Sequence, residues 1–163
     1  MRLKGSGTMR FKTADTDTYL QSRDYVDTAI VPLLKASVST QLKSTIQAAE
    51  FTTILSDEME RQFRGRVMLF PPFSYSEEES VEANRERLRM WEKDLGNAGF
   101  KHIILLTSDS VWKPIEEQLK PLQLFFVPSI ALEYIDQKNR KKVIDDQMQQ
   151  ILPLITGLWQ QNR

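Results

Sequence analysis

The chain has 163 residues, of which 40% are hydrophobic and 27% charged, and this length suits one domain with a single core. It contains no cysteine, which excludes disulfide frameworks, thiol catalysis and zinc–cysteine sites. The 22 basic and 22 acidic side chains cancel, and this balance argues against nucleic acid as the main partner, because phosphate binding needs clustered excess Lys and Arg.

The N-terminus and the longest apolar run decide the expected domain boundaries and compartment. Residues 1–8 lack the apolar centre of a signal peptide, so we expect an added leader before a native start at Met9. The run from Leu122 to Leu132 is shorter than the about 20 apolar residues of a membrane-spanning helix. The sequence therefore predicts one domain over residues 9–163, with no membrane segment and a cytoplasmic location.

Short apolar runs alternate with longer amphipathic ones, which is typical of βαβ units. Pro32 lies inside the second run and removes a backbone donor. We therefore expect either that this strand lies at an edge of the sheet or that Pro32 lies near the end of the strand. The last three runs are nearly continuous, as in strands covered on both faces. In chain order the predicted strands are Met9–Lys12, Ala29–Leu34, Arg66–Phe70, His102–Thr107 and Leu122–Val127.

The amphipathic runs between the strands predict helices on both faces of the sheet. The apolar phase shifts near Ala49, which predicts a kink or break in the second helix. Ser76 and Glu79 form a capping-box pattern at the start of the third helix, and Pro153 should bend the last. The other predicted helices span Asp15–Asp27, Val38–Phe63, Val111–Leu119 and Asn139–Gln160. The predicted fold is α/β, a three-layer, doubly wound, Rossmann-like domain with a mostly parallel sheet of about five strands.

Three stretches of the sequence resemble a known family. They are Tyr19–Ala29, Arg61–Arg66 running into Pro71–Tyr75, and Gly99–Ile103 running into Thr107–Asp109. Together they resemble the YpiF-like family of uncharacterised cytosolic proteins from low-GC Gram-positive bacteria, over nearly all of the chain after Met9. The resemblance implies no activity and no catalytic residue, so the site has to be argued from the residues themselves.

The standard phosphate-binding and catalytic motifs are absent from the sequence. Neither G-x-G-x-x-G nor G-x-x-x-x-G-K-[ST] occurs, and we expect no cofactor. The single histidine, His102, begins a predicted strand, whereas ligands of parallel sheets bind at the carboxyl ends. A structural role is therefore expected for His102, which excludes a Ser-His-Asp triad and a histidine-based metal site.

Polar residues follow each predicted strand, where parallel strands would bring them to one edge. One interpretation is a crevice that binds an anionic or polyhydroxyl small molecule. The other is that Ser, Thr and Asp are simply the preferred helix caps after a strand. Asp109 stands out because Thr107–Ser110 places four polar residues directly after the most apolar strand. The whole set is Thr13, Asp15, Lys35, Ser37, Ser74, Tyr75, Thr107, Ser108, Asp109 and Ser129.

Two further charged features have alternative interpretations. Four cations in Lys138–Lys142 crowd the start of the last helix, where the dipole favours anions. They predict either a site for phosphate, carboxylate or an acidic partner surface, or a solvated turn balanced by neighbouring aspartates. Asp15 and Asp17 could hold a divalent cation or could simply begin a helix, and we predict no metal site.

Two functions from different classes remain. The favoured one is a non-catalytic domain that binds a protein partner or a small anionic metabolite, with Thr107, Ser108, Asp109, Ser129, Arg140 and Lys141 as ligand residues. The alternative is a small hydrolase or transferase with Asp15 or Asp109 as acid or base and Ser74 or Ser108 nearby. A deep pocket in which Asp15 and Asp109 meet would favour the enzyme.

Overall fold

The computed structural model describes residues 8–161, so the expected leader lies outside the described residues except for Thr8. Within that range five parallel strands form the sheet: β1 Thr28–Lys35, β2 Val67–Leu69, β3 Phe73–Tyr75, β4 His102–Thr107 and β5 Gln123–Phe126. The α-helices are α1 Thr16–Ser22, α2 Leu42–Gln62, α3 Val81–Asn97, α4 Glu116–Leu119 and α5 Gln137–Gln160. None of these helices is long and apolar enough to cross a membrane.

Strand β1 lies inside the sheet, with β2 and β3 along one side and β4 followed by β5 on the other. Thr28–Ile30 pairs with β2, and Leu33–Lys35 pairs with β3. β2 and β3 therefore act as one edge strand that is interrupted at Pro71–Pro72.

The expectation that Pro32 places its strand at an edge is wrong, because β1 has neighbours on both sides. Alternate residues of a strand turn their backbone groups to the same neighbour. Thr28 donates to the Arg66 carbonyl at 3.2 Å, and the Ile30 carbonyl accepts from Phe70 at 2.9 Å. The nitrogen of Pro32 thus faces the interruption at Pro71–Pro72, so the ladder with β4 keeps all its donors.

The first predicted strand, Met9–Lys12, is also wrong, since it makes only an isolated bridge between Arg10 and Leu69. Asp15 turns the chain away from the sheet: its carboxylate accepts the Arg10 N–H at 3.0 Å and the Thr8 hydroxyl at 2.9 Å. A 3₁₀ turn and the short helix α1 follow directly. The fifth strand of the sheet is therefore β3, which the sequence did not predict.

Helices cover both faces of the sheet, which confirms the three-layer α/β fold. The face covered by α1, α3 and α4, called here the α3 face, has a core built on Val31, Phe73, Leu88, Leu95, Leu105 and Trp112. The opposite face, the α2 face, is covered by α2 and α5, and its core includes Ile30, Phe51, Leu55, Ile104, Met148 and Ile155.

Of the two predictions for the second helix, the break is wrong, because α2 continues without interruption from Leu42 to Gln62, and a kink stays a prediction. The phase shift near Ala49 coincides with a change of environment. Leu55 and Met59 are fully buried, whereas Leu42 and Ile46 are 43% and 52% exposed. Only the second half of α2 packs on the sheet.

Helix α3 begins one turn later than the capping-box pattern predicts. Its N-cap is Ser80, whose hydroxyl accepts the Ala83 N–H at 3.1 Å. Ser76 and Glu79 still contact each other, since the Ser76 N–H donates to the Glu79 carboxylate at 2.7 Å. They close the turn that precedes the helix. Helix α5 is capped by Asp136 and continues through Pro153.

Candidate functional site

The chain leaves β1 and β4 on opposite faces of the sheet. After β1 it enters α2 on the α2 face, and after β4 it enters a 3₁₀ segment, Ser110–Ile115, that packs on the α3 face. Because β1 and β4 are adjacent, their carboxyl ends form a topological switch point, where open α/β sheets bind their ligands.

A cleft of about 300 Å³ opens at this point, and we call it the switch-point cleft. The end of β1, the first half of α2 and the residues after β4 form its walls. The structure brings Ser108, Asp109 and Ser129 together here, three of the six predicted ligand residues. The lining is Leu33, Leu34, Lys35, Gln41, Ser44, Thr45, Ala48, Ala49, Thr52, Ser108, Asp109, Ser110 and Ser129.

Asp109 is held in place by two hydrogen bonds to its carboxylate. Oδ1 accepts the Val111 N–H at 3.1 Å, which caps the 3₁₀ segment, and Oδ2 accepts the Tyr75 hydroxyl at 2.7 Å. The Tyr75 oxygen in turn accepts the Trp112 indole N–H at 2.9 Å. Burial, and then the neighbouring Asp109 carboxylate, raises the pKa of Tyr75, so its hydroxyl remains a donor.

Thr107 and Ser108 connect the walls of the cleft. Thr107 is fully buried behind the lining: its hydroxyl donates to the Leu33 carbonyl at 3.4 Å and accepts the Asp109 N–H at 3.0 Å. The Ser108 hydroxyl lies 3.1 Å from the Thr52 hydroxyl of α2, and the two share a hydrogen bond. Thr107 therefore supports the turn after β4, while Ser108 joins that turn to α2.

The loop between β1 and α2 is fastened to Glu77, which precedes α3. The Glu77 carboxylate accepts from Thr40 at 2.9 Å and from the Ser39 hydroxyl, and the Glu77 N–H donates to Ser37 at 2.7 Å. The Ser39 hydroxyl is the main cause of the lowered pKa of Glu77. Lys35, in the lining, lies 3.7 Å from the same carboxylate.

Helix α2 presents an uncapped N-terminus to the cleft. Of the three long helices in residues 8–161, only α2 has no side chain that caps a backbone N–H, and its first turn contains no acidic residue. Its N-cap, Gln41, has a φ of 50°. The free N–H groups and the positive end of the helix dipole therefore border the cleft that Lys35 also lines.

The sequence-based prediction missed the wall formed by α2. Its residues are small or hydroxylated and recur at helical spacing on one face, and this pattern is the signal that could have found them. The apolar stripe of the same helix predicts only the face that packs on the sheet. The missed residues are Gln41, Ser44, Thr45, Ala48, Ala49 and Thr52.

Arg140 and Lys141 lie elsewhere, in a cleft of about 460 Å³ between α2 and α5. Arg140 donates to the Ile135 carbonyl at 2.7 Å. The N-cap Asp136 supplies the anion that the start of α5 needs, by accepting the Asn139 N–H at 2.9 Å. Acidic side chains share this cleft with the cations: Glu50, Glu58, Glu133 and Asp145.

Of the four residues of the alternative catalytic site, Ser108 and Asp109 lie together in the switch-point cleft, whereas Asp15 and Ser74 lie outside it. Asp15 is buried and borders a third cleft, next to Phe11 and Tyr19. Ser74 is exposed on β3, where its carbonyl accepts from Arg87 at 3.2 Å. Because the N-terminal segment is not a strand of the sheet, Asp15 does not reach the edge that holds Asp109.

His102 and the acidic residues are the remaining groups that could react or bind a metal ion. His102 is buried at the amino end of β4, and this burial lowers its pKa. Within the part of the chain that the structure describes, no group of three or more His, Asp or Glu side chains could hold a metal ion.

Comparison with known proteins identifies the family. A family model described as a protein of unknown function, DUF2487, matches residues 17–159. The uncharacterized protein YpiF of Bacillus subtilis (strain 168) is 34% identical over 151 residues, which cover 93% of this chain and 98% of the relative. No solved structure matches the chain. The resemblance seen in the sequence is confirmed, and the chain belongs to the YpiF-like family, DUF2487.

Proposed function

We propose that this protein is a binding domain that takes a small anionic ligand in the switch-point cleft. The observation that carries the proposal is the position of the cleft, at the carboxyl ends of β1 and β4 where the chain leaves for opposite faces. A volume of about 300 Å³ is at the small end of the range for ligand pockets, so the ligand is a compact metabolite.

The chemistry of the lining favours an anion. Lys35 provides a positive charge, and the uncapped first turn of α2 adds backbone N–H donors to the same cleft. The ion pair of Lys35 with Glu77 is long, at 3.7 Å, so Lys35 can exchange this partner for a ligand at low cost.

Binding is favoured over the hydrolase or transferase alternative because the one candidate pair that shares a cleft, Ser108 and Asp109, is not arranged as nucleophile and base: the Asp109 carboxylate accepts from Val111 and Tyr75, not from the Ser108 hydroxyl. Asp15 and Asp109 border different clefts and cannot serve one substrate as an acid–base pair. Ser74 is outside the switch-point cleft as well.

The test is thermal unfolding in sodium phosphate, with sodium chloride at matched ionic strength as the reference. Phosphate at ten times its Kd should raise the Tm by about 3 to 6 °C, because binding to the folded state adds about 1.4 kcal/mol. The shift should be lost in Lys35→Gln. It should persist in Lys141→Gln, a matched control in the cleft between α2 and α5.

General exclusion of the salt from the protein surface would stabilise the parent and both variants alike. Equal shifts in all three proteins would therefore overturn the proposal. Loss of the shift in Lys141→Gln alone would move the anion site to the start of α5.

A further inference from the structure

The lining of the switch-point cleft contains groups of two chemical kinds. Lys35 and the first turn of α2 can donate hydrogen bonds, whereas Asp109 is an acceptor that carries negative charge. A simple anion is attracted by the first kind and repelled by the second. The two kinds together therefore require more of a ligand than charge alone.

Asp109 has acceptor capacity left for a ligand. A carboxylate offers about four lone-pair positions, and two are filled by the hydrogen bonds from Val111 and Tyr75. The side chain is only half-buried and borders the cleft. A ligand hydroxyl that approaches from the cleft can donate to Asp109 without displacing either internal donor.

The groups behind Asp109 fix its carboxylate in one orientation. Tyr75 and Trp112 are buried, and their rings meet edge to face with centroids 5.3 Å apart. The indole N–H donates to the phenol oxygen, and the phenol donates to Asp109. An acceptor held in this way is preorganised, so a ligand donor pays little to order it.

Hydroxyl groups line the cleft together with Asp109. Ser108 and Ser110 flank it in the chain, and Ser129 follows β5 at the rim. Hydroxyls can donate or accept, so they complement a ligand with several hydroxyl groups of its own. These lining groups thus match a polyol.

This inference rests on the function proposed above and names the ligand class for the same site. We propose that the ligand is a small hydroxylated anion, whose charged group binds beside Lys35 and the first turn of α2 while a hydroxyl donates to Asp109. A phosphorylated sugar and a sugar acid share this chemistry, and the choice of probes distinguishes them.

The experiment compares affinities for ribose 5-phosphate, inorganic phosphate, ribose and gluconate by isothermal titration calorimetry on the full chain. Ribose 5-phosphate should bind about tenfold tighter than phosphate, which is the size expected for one added hydrogen bond to a charged group. Ribose alone should bind more weakly than either. Tight binding of gluconate instead of ribose 5-phosphate would assign the charged group to a carboxylate within the same ligand class.

The variant Asp109→Asn tests the hydrogen bond from a ligand hydroxyl to the Asp109 carboxylate. Asn is also a good helix cap, so it can preserve the hydrogen bond from Val111 while removing the charge. The advantage of ribose 5-phosphate, or of gluconate, over phosphate should fall by about tenfold, while affinity for phosphate itself is kept or increased. Asp145→Asn, in the cleft between α2 and α5, is the matched control and should change neither affinity.

Two measurements keep the result interpretable. Thermal unfolding of Asp109→Asn checks that the variant is folded, and backbone amide shifts of Ser108–Ser110 in the parent protein locate each probe independently of any variant. Equal affinities for phosphate and ribose 5-phosphate, with binding of both probes lost in Lys35→Gln, would overturn this inference. The proposal of an anion site would still hold in that case. Failure of all four probes to bind would overturn both proposals.

Discussion

At the scale of single residues, Tyr75 has a buried hydroxyl that makes two hydrogen bonds: it donates to Asp109 and accepts from Trp112. Tyr75→Phe would leave the buried indole N–H without its partner. We expect a loss of about 1 to 3 kcal/mol in the free energy of unfolding, measured by urea titration. Tyr25→Phe is the matched control, because Tyr25 is 76% exposed and its variant should unfold like the parent. Equal losses in the two variants would contradict the role given to Tyr75.

Glu77 makes the loop between β1 and α2 sensitive to acid. Its hydrogen bonds, first of all the one from Ser39, lower its pKa below the ordinary value of 4.5. A carboxylate with a lowered folded-state pKa stabilises the folded form above the unfolded value, and this contribution is lost as the pH falls through the folded value.

We therefore expect the backbone amide chemical shifts of Ser39 and Thr40, measured by NMR, to change as the pH falls below the ordinary value of 4.5 and protonation of Glu77 breaks the bonds from the two hydroxyls. Glu77→Gln should show altered shifts already at neutral pH, without this pH dependence. Glu78→Gln, at the exposed neighbouring position, should behave like the parent. A pH response that survives in Glu77→Gln would assign it to a different group.

At the scale of elements, the two halves of α2 have different structural roles. Its second half packs on the sheet, and its first half forms a wall of the switch-point cleft. Leu55→Ala should cost about 2 to 5 kcal/mol in the free energy of unfolding, because Leu55 is fully buried. Leu42→Ala, in the exposed half, should change it by less than about 0.5 kcal/mol. Comparable losses would mean that both halves are packed.

The elements that the sequence predicted correctly are those decided by local pattern. The apolar runs of β4 and β5 are buried on both faces, and Asp109 follows β4 as a cap. This local pattern also brought Ser108 and Asp109 into the candidate site. Long amphipathic helices such as α5 are recognisable for the same reason, since packing on the sheet requires an apolar stripe.

The elements that the sequence did not predict depend on distant partners. Met9–Lys12 has a strand-like composition, but Asp15 and the buried Glu60 hold it beside the sheet, with Met9 donating to Glu60 at 2.7 Å. β3 has only three residues after two prolines, and it exists because β1 continues beside it. The α2 wall has a local signal in its small and hydroxylated residues at helical spacing, but its place in the cleft depends on which face the chain takes after β1.

At the scale of the whole molecule, the sheet separates the two cores, and β1, β4 and β5 each contribute side chains to both of them. Ile30 and Val31 are neighbours in β1, yet one faces the α2 face and the other the α3 face. Contacts at the amino ends of the strands also join the two layers of helices. Arg66, in the loop before β2, places Nε 3.1 Å from Oδ1 of Asp27, and its guanidinium carbon lies 4.1 Å from the ring centroid of Trp159 in α5. Loss of either core therefore exposes strands on which the other depends.

We expect both faces to unfold in a single transition, as in other single domains of this size. The three tryptophans report on the two faces separately, because Trp91 and Trp112 pack on the α3 face and Trp159 on the α2 face. Urea unfolding would be followed by fluorescence in two variants, Trp159→Phe and the double variant Trp91→Phe/Trp112→Phe, each compared with its own circular dichroism transition. In each variant the two midpoints should coincide. A fluorescence midpoint below that of circular dichroism would show that one layer of helices leaves the sheet before the rest unfolds.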